Sequence, residues 1–340
     1  MEEDRNIIKE SDKEILIIKR IKFHIFKIKK IYYILITLII LFYCAIFSFI
    51  FIRNKTFKSN LYKNNNLIII ENDKNLTLNC SIVKNKLENR AHPLDFENEL
   101  YFFINLIECK IPFSLIRFGD GENLIMKGRN LNVRLDKWHW NPSNKKFQDS
   151  LIKSSSICTK NYNFIGIPCK NWIQVSKSIL SFSKCSSAKY MSYATLFINK
   201  NYEIFKKWII NFVNTSNRWR IILVANTIIH KNITWAYKFF PIPDHLIENF
   251  DYYSSYLLSK LSNQAKQNNL IFFISAGPAA NIIISYLTEI NKNNIYIDFG
   301  SSIEFITKGY TTRPYAKNGR TANYSCEPFF IKNKTLIYMR

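Results

Sequence analysis

The pattern of apolar and polar positions changes twice along the chain. Between Ile31 and Ile52, about 22 residues run without a charge, enough at 1.5 Å per residue to cross a hydrocarbon core of roughly 30 Å. A segment rich in Asn and Lys follows, relieved only by the short apolar run Leu67–Ile70. From about His92 onward, brief apolar runs alternate with stretches in which apolar residues return every three or four positions. The brief runs Ser114–Phe118, Phe164–Pro168, Ile221–Ala225, Leu270–Ser275 and Ile295–Phe299 predict buried strands. The periodic stretches predict helices over Pro93–Cys109, Glu122–Lys127, Trp172–Phe182, Tyr202–Phe212, Tyr252–Lys266 and Ala279–Asn291.

Strands and helices in alternation predict an α/β fold, a Rossmann-like layered domain with a mainly parallel sheet, preceded by a single transmembrane helix. The expected division is 1–30 as a cytoplasmic tail, 31–53 as a transmembrane signal anchor, 54–91 as a stem and 92–340 as the α/β domain. Lys19, Arg20, Lys22, Lys27, Lys29 and Lys30 precede the span, against Arg53, Lys55, Lys58 and Lys63 after it. That bias favours a cytoplasmic N-terminus. The expected protein is therefore a single-pass type II membrane protein of the secretory pathway, Golgi or ER, with its domain in the lumen and the lipid bilayer as a partner.

Composition narrows the classes. Hydrophobic residues at 47% and aromatics at 15% exclude wholesale disorder, and 8 Gly with 9 Pro exclude collagen-like chains. The 48 basic residues outweigh the 25 acidic ones, for a net charge of +23. Part of that excess flanks the span, where it meets anionic headgroups. The rest is scattered lysine, so a nucleic-acid partner is not expected. Six cysteines, Cys80, Cys109, Cys158, Cys169, Cys185 and Cys326, follow the span. An even number in an oxidising lumen permits disulfides, but the spacing does not select a pairing. Sequons at Asn54, Asn75, Asn79, Asn214, Asn232, Asn323 and Asn333 fit a lumenal glycoprotein, although Asn is common throughout.

In a parallel sheet, ligands bind beyond the carboxyl ends of the strands. Three strand ends carry chemistry. After Ser114–Phe118 come Gly119, Asp120, Gly121 and Glu122. The two carboxylates, paired across a turn, suit Mg²⁺ or Mn²⁺, which can bridge a diphosphate, and Arg117 stands beside them. The same residues also fit an ordinary strand–helix turn with Asp120 as N-cap. After Leu270–Ser275, Gly277 offers a tight turn and Pro278 a helix start, where free N–H groups bind phosphate. A plain close turn reads equally well. After Ile295, Asp298 falls at the strand end, suited to a ribose hydroxyl, a metal or a water, or simply to a cap.

These segments, IRFGDGE (Ile116–Glu122), ISAGPAANIIISYL (Ile274–Leu287) and IDFGS (Ile297–Ser301), resemble in their order the GT-D-fold glycosyltransferase family. The resemblance covers His92 to Arg320 in outline, and its first segment is the specific one. It implies transfer of a sugar from a nucleotide sugar, a UDP-sugar favoured, to a glycan or glycoconjugate acceptor. It also implies Asp120 and Glu122 as holders of Mn²⁺ or Mg²⁺ and of the donor diphosphate, with Arg117 and Gly119 in the same donor site and Gly277 and Pro278 closing on the nucleotide. Where bacterial members carry a His after the third motif's Gly, this chain has Ser301, which marks it as divergent. An anchor, stem and lumenal domain is also a common layout among secretory-pathway glycosyltransferases.

If the transfer inverts, a carboxylate must take the acceptor proton, and Asp298 is the expected base. Arg313, in Thr-Thr-Arg-Pro-Tyr, is a candidate for a loop closing over the donor. Trp138, in a loop-like Trp-His-Trp stretch, is either a sugar-stacking platform or a core anchor. His230 and His245 lack metal-ligand spacing. The rival readings are a membrane glycoprotein that binds glycans through a degenerate domain, and a Rossmann-like methyltransferase that uses Gly277 and leaves Asp120 and Glu122 idle.

Overall fold

The computed structural model describes residues 78–133, 138–159, 162–215, 219–226, 233–311, 313–316, 324–332 and 335–338. The apolar span, its tail and most of the expected stem lie outside these residues. Among the described residues no helix is long and apolar enough to cross a membrane.

The chain opens with α1 (Cys80–Glu88) and α2 (Phe96–Glu108), then β1 (Phe113–Arg117) and α3 (Asp120–Met126). A hairpin of β2 (Leu131–Val133) and β3 (Trp138–Trp140) precedes α4 (Lys145–Ser154) and β4 (Asn163–Ile167). Next come α5 (Ile173–Phe182), β5 (Met191–Tyr193), α6 (Tyr202–Asn214), β6 (Arg220–Asn226) and β7 (Lys238–Ile242). The sequence ends with α7 (Phe250–Ala265), β8 (Leu270–Ile274), α8 (Ala279–Ile290), β9 (Ile295–Asp298), α9 (Glu304–Thr307) and the hairpin β10 (Phe329–Lys332) and β11 (Thr335–Tyr338). All five predicted strands are present, within a residue or two of their expected bounds.

Seven strands form one sheet in the order β5-β4-β1-β9-β8-β6-β7, parallel throughout. The α/β layered fold expected from the alternation is thus present. The chain leaves β1 for β4 and β5 on one side, crosses over, and returns through β8 to β9. The first and last strands of the sheet therefore lie side by side at its centre, and their carboxyl ends open on one edge.

The register explains the layers. Pairing of Leu115 with Phe164 and Ile297, and of Ile297 with Phe273, puts these residues and Phe113 on one face. There α2 packs Phe102 and Phe103 edge-on against Phe164, and α6 sets Phe212 against Phe273. The opposite face carries α8, which packs on β1 and β9 and against α4 and α7. Strands β4, β8 and β9 are buried along their whole length, as apolar runs covered on both faces must be.

Compact structure starts earlier than His92. Helix α1 lies in the segment expected to be stem, yet Val83 and Leu87 are buried and Cys80 is joined to Cys109 at the end of α2. Just beyond it, Arg90 makes a bidentate pair with Glu99, at 2.9 and 2.7 Å, and also donates to the Met191 carbonyl. A covalent link and a buried ion pair hold this segment, and neither leaves an apolar period in the sequence. The other cysteines pair as Cys158–Cys185 and Cys169–Cys326. The second of these ties the segment before β10 to the carboxyl end of β4. The Trp138–Trp140 stretch, expected as a loop, is strand β3, paired with β2.

Candidate active site

The ends of β1, β8 and β9 meet at the centre of the carboxyl edge. Arg117, the last residue of β1, donates from Nε to the Asp298 carbonyl at 2.7 Å and from Nη1 to the Ala194 carbonyl at 2.9 Å. Its Nε also lies 3.3 Å from Asp298 Oδ2. Asp298 Oδ1 accepts the Gly300 N–H at 2.8 Å. Gly300 has a φ of +51°, which favours glycine, and a Cβ there would displace the tip of the Arg117 side chain. Ser275, at the end of β8, closes the arrangement by donating to the Gly300 carbonyl at 2.7 Å.

The turn after β1 has its own logic. Gly119, not Asp120, is the N-cap of α3, and Asp120 is its first residue. Glu122 folds back to accept the Gly119 N–H on Oε2 at 2.8 Å, the reciprocal contact of a capping box. Burial pushes the Glu122 carboxyl up from its ordinary 4.5 to about 7, with Asp298 and Asp120 adding to the rise and N–H donors opposing it. Burial also raises the Asp298 carboxyl, against the pull of Arg117. Asp120 is exposed. Glu122 thus feels two further carboxylates, at one sheet edge.

At the end of β8, Gly277 takes a φ of +53° and Pro278 caps α8. A Cβ on Gly277 would lie 3.6 Å from Ile247 Cδ1 and 3.8 Å from Trp138 Nε1, so hairpin β2–β3 walls this turn. Trp138 is half-buried and packs on the core as well. The hairpin is fixed from outside. Glu248 accepts the His139 N–H at 2.9 Å and faces both His139 Nδ1 at 2.5 Å and His245 Nδ1 at 3.2 Å.

Arg313 lies beside Glu304, Nε to Oε2 3.9 Å, and Glu304 also holds Lys308 at 3.1 Å. Ser301 shares a hydrogen bond of 2.9 Å with Tyr315, whose hydroxyl burial pushes up. The sequence did not assign a role to Asn281. On the inner face of α8, it accepts the Arg117 N–H on Oδ1 at 3.3 Å and donates from Nδ2 to the Arg117 carbonyl at 2.9 Å, holding the strand end on both sides. One polar residue inside the apolar run Ala279–Ile284 was the available signal.

No cluster of three or more His, Cys, Asp or Glu suited to a metal occurs among the described residues. Asp120, which is exposed, and Glu122 in the same turn offer the one or two carboxylates by which Mg²⁺ is commonly held together with substrate phosphates.

No protein-family model and no curated protein matches the chain. Among solved structures, it is similar to a domain of unknown function, number 1792, described as having a distinct glycosyltransferase fold. The identity is 18%, over 66% of this chain and 84% of that one, with a TM-score of 0.43. A selenomethionine-substituted structure of the same domain gives 17% identity over the same shares and a TM-score of 0.44.

Proposed function

We propose that this protein is a membrane-anchored glycosyltransferase that moves a sugar from a nucleotide sugar, a UDP-sugar favoured, to a glycan or glycoconjugate acceptor. The observation that carries the reading is the meeting of the Asp120–Glu122 turn, the Gly277–Pro278 turn and Asp298 on one sheet edge. They bring carboxylates and a helix N-terminus to the place where parallel sheets bind ligands. The motif resemblance of the same three segments points the same way.

Asp120, with Glu122 beside it, would hold Mn²⁺ or Mg²⁺, and the cation would neutralise charge on the leaving diphosphate. Gly277 and Pro278 receive the donor phosphates at the start of α8, where dipole and free N–H groups favour anions. Arg313, beside Glu304, would close over the donor. In an inverting transfer the acceptor oxygen attacks the anomeric carbon, the bond to the diphosphate breaks, and a carboxylate takes the hydroxyl proton. Asp298, the expected base, is 5% exposed and engaged by Arg117 and the Gly300 N–H. It serves better as the residue that positions Arg117.

The three disulfides support a domain that folds in an oxidising compartment, hence a lumenal domain behind a type II anchor in the ER or Golgi. The test is release of sugar from a panel of nucleotide sugars by the full chain, with and without Mn²⁺. Asp120→Asn and Glu122→Gln should each lower turnover by 100-fold or more, on the order of oxyanion-scale electrostatic losses. Full turnover in both variants, at unchanged melting temperature, refutes the proposal. Calorimetric binding of S-adenosylmethionine in place of UDP-sugars would instead mark a methyltransferase.

A further inference from the structure

The face built by α7 and the edge strand β7 carries a second constellation, which sugar transfer at the central edge does not use. Tyr252 and Tyr256 are 79% and 70% exposed. With Lys260 they follow at four-residue intervals, so the three lie along one side of α7. Helix α7 runs antiparallel to the strands it links, and its first turn stands beside hairpin β2–β3, because Glu248 just ahead of it binds His139. The row therefore descends from the carboxyl edge of the sheet over about 12 Å.

At its foot a cavity of about 480 Å³ opens between helix and strand, lined by Lys238, Phe239, Phe240, Lys260, Asn263 and Gln264. Gln264 Oε1 is buried without a hydrogen-bond partner. The ammonium groups of Lys238 and Lys260 lie over the rings of Tyr237 and Tyr256, at 5.6 and 5.4 Å. Among the described residues neither lysine makes an ion pair. The cavity thus combines two uncompensated cations, aromatic surface and amides.

We propose that this row is a binding track for an acidic oligosaccharide, its anionic group between Lys238 and Lys260 and its sugar faces against Tyr256 and Tyr252. Exposed tyrosine rings give apolar faces with polar rims, which pyranose rings match, and the amides of Asn263 and Gln264 meet hydroxyls. Unpaired lysines select the charge. A membrane surface would instead favour a convex helix face with Trp, Phe or Leu to insert, whereas this site is concave and lined by lysines and amides. Since the row begins beside the donor edge, the bound glycan is the acceptor or an extension of it. That last assignment rests on the transferase reading, but the binding does not.

The test immobilises the full chain on a biosensor and titrates it with a heparin-derived tetrasaccharide, neutral maltotetraose and phosphatidylserine vesicles. The tetrasaccharide should bind at least tenfold more tightly than maltotetraose. Lys238→Glu with Lys260→Glu should weaken it by tenfold or more, and Tyr256→Ala should weaken both sugars, at unchanged melting temperature. Tyr252→Ser, at a 79% exposed position that leaves the core untouched, should likewise weaken both sugars. Asp120→Asn should bind the tetrasaccharide as the wild type does, which separates failure of the track from failure of the transferase reading. Equal affinity for the neutral sugar, or full affinity in the lysine double variant, overturns the proposal. Vesicle binding lost in the double variant, without tetrasaccharide binding, assigns the face to a membrane and also overturns it.

Discussion

Arg117 and Asp298 bind the first and last strands of the sheet to one another, through a 2.7 Å hydrogen bond to the Asp298 carbonyl and a 3.3 Å approach to its carboxylate. Both side chains are largely enclosed, so removing one charge leaves the other without its partner. Asp298→Leu and Arg117→Met should each cost about 3 kcal/mol, read from urea unfolding, whereas the two changes together should cost much less than their sum. Additive losses in that cycle would show that the two residues are not coupled.

Gly300 is the most constrained glycine of the site. Gly300→Ala must adopt a φ of +51° and push the tip of the Arg117 side chain aside. The expected loss is about 1–3 kcal/mol, with a fall in melting temperature of roughly 2–4 °C for each kcal/mol. Sugar release should fall with it, since Arg117 has to move. A variant with wild-type melting temperature and turnover would contradict this geometry.

Glu122 gives a pH signature with a defined sign. Its carboxyl rises from 4.5 to about 7 on folding, so the folded state holds this proton more tightly than the unfolded chain. The stabilisation is complete below the unfolded value and is lost as pH rises through the folded one. Unfolding free energy should therefore fall between about pH 4.5 and 7, and Glu122→Gln should flatten that slope. Asp298 shifts in the same direction, so the difference between wild type and variant isolates Glu122. A slope unchanged in the variant would assign the effect elsewhere.

The Cys169–Cys326 bond closes a loop with a sequence separation of 157, and the other two close separations of 27 and 29. Loop-closure entropy predicts about 5 kcal/mol for the long one and about 3–4 for each short one. Cys169→Ser with Cys326→Ser should thus lower stability most, measured by denaturant unfolding against the other two pairwise replacements. Equal effects would mean that native contacts hold the β10 segment without the bond.

The central strands were legible because a strand covered on both faces must be written in consecutive apolar residues. Edge strands escape that rule. Met191–Tyr193 is only three residues long, and Lys238–Ile242 is exposed along most of its length and contains Pro241. Helix α1 was invisible because only Val83 and Leu87 face the core. For the site, the turns at Asp120, Gly277 and Asp298 could be named from sequence, since parallel topology dictates where chemistry stands. Their partners could not. Arg117 and Asp298 are 181 positions apart, and nothing in either segment says that the two side chains neutralise one another. The same holds for Asn281 and for the hairpin that sets Trp138 on Gly277.

The adjacency of β1 and β9 also fixes when the site can exist. Two strands drawn from opposite ends of the domain must be in hand before the central pair can zip, and such distant pairings form slowly. A ribosome-bound chain that has not yet released Asp298 lacks the floor of the site, whatever its earlier helices have done. The site should accordingly form only once the chain through β9 has left the ribosome, however early the preceding helices fold.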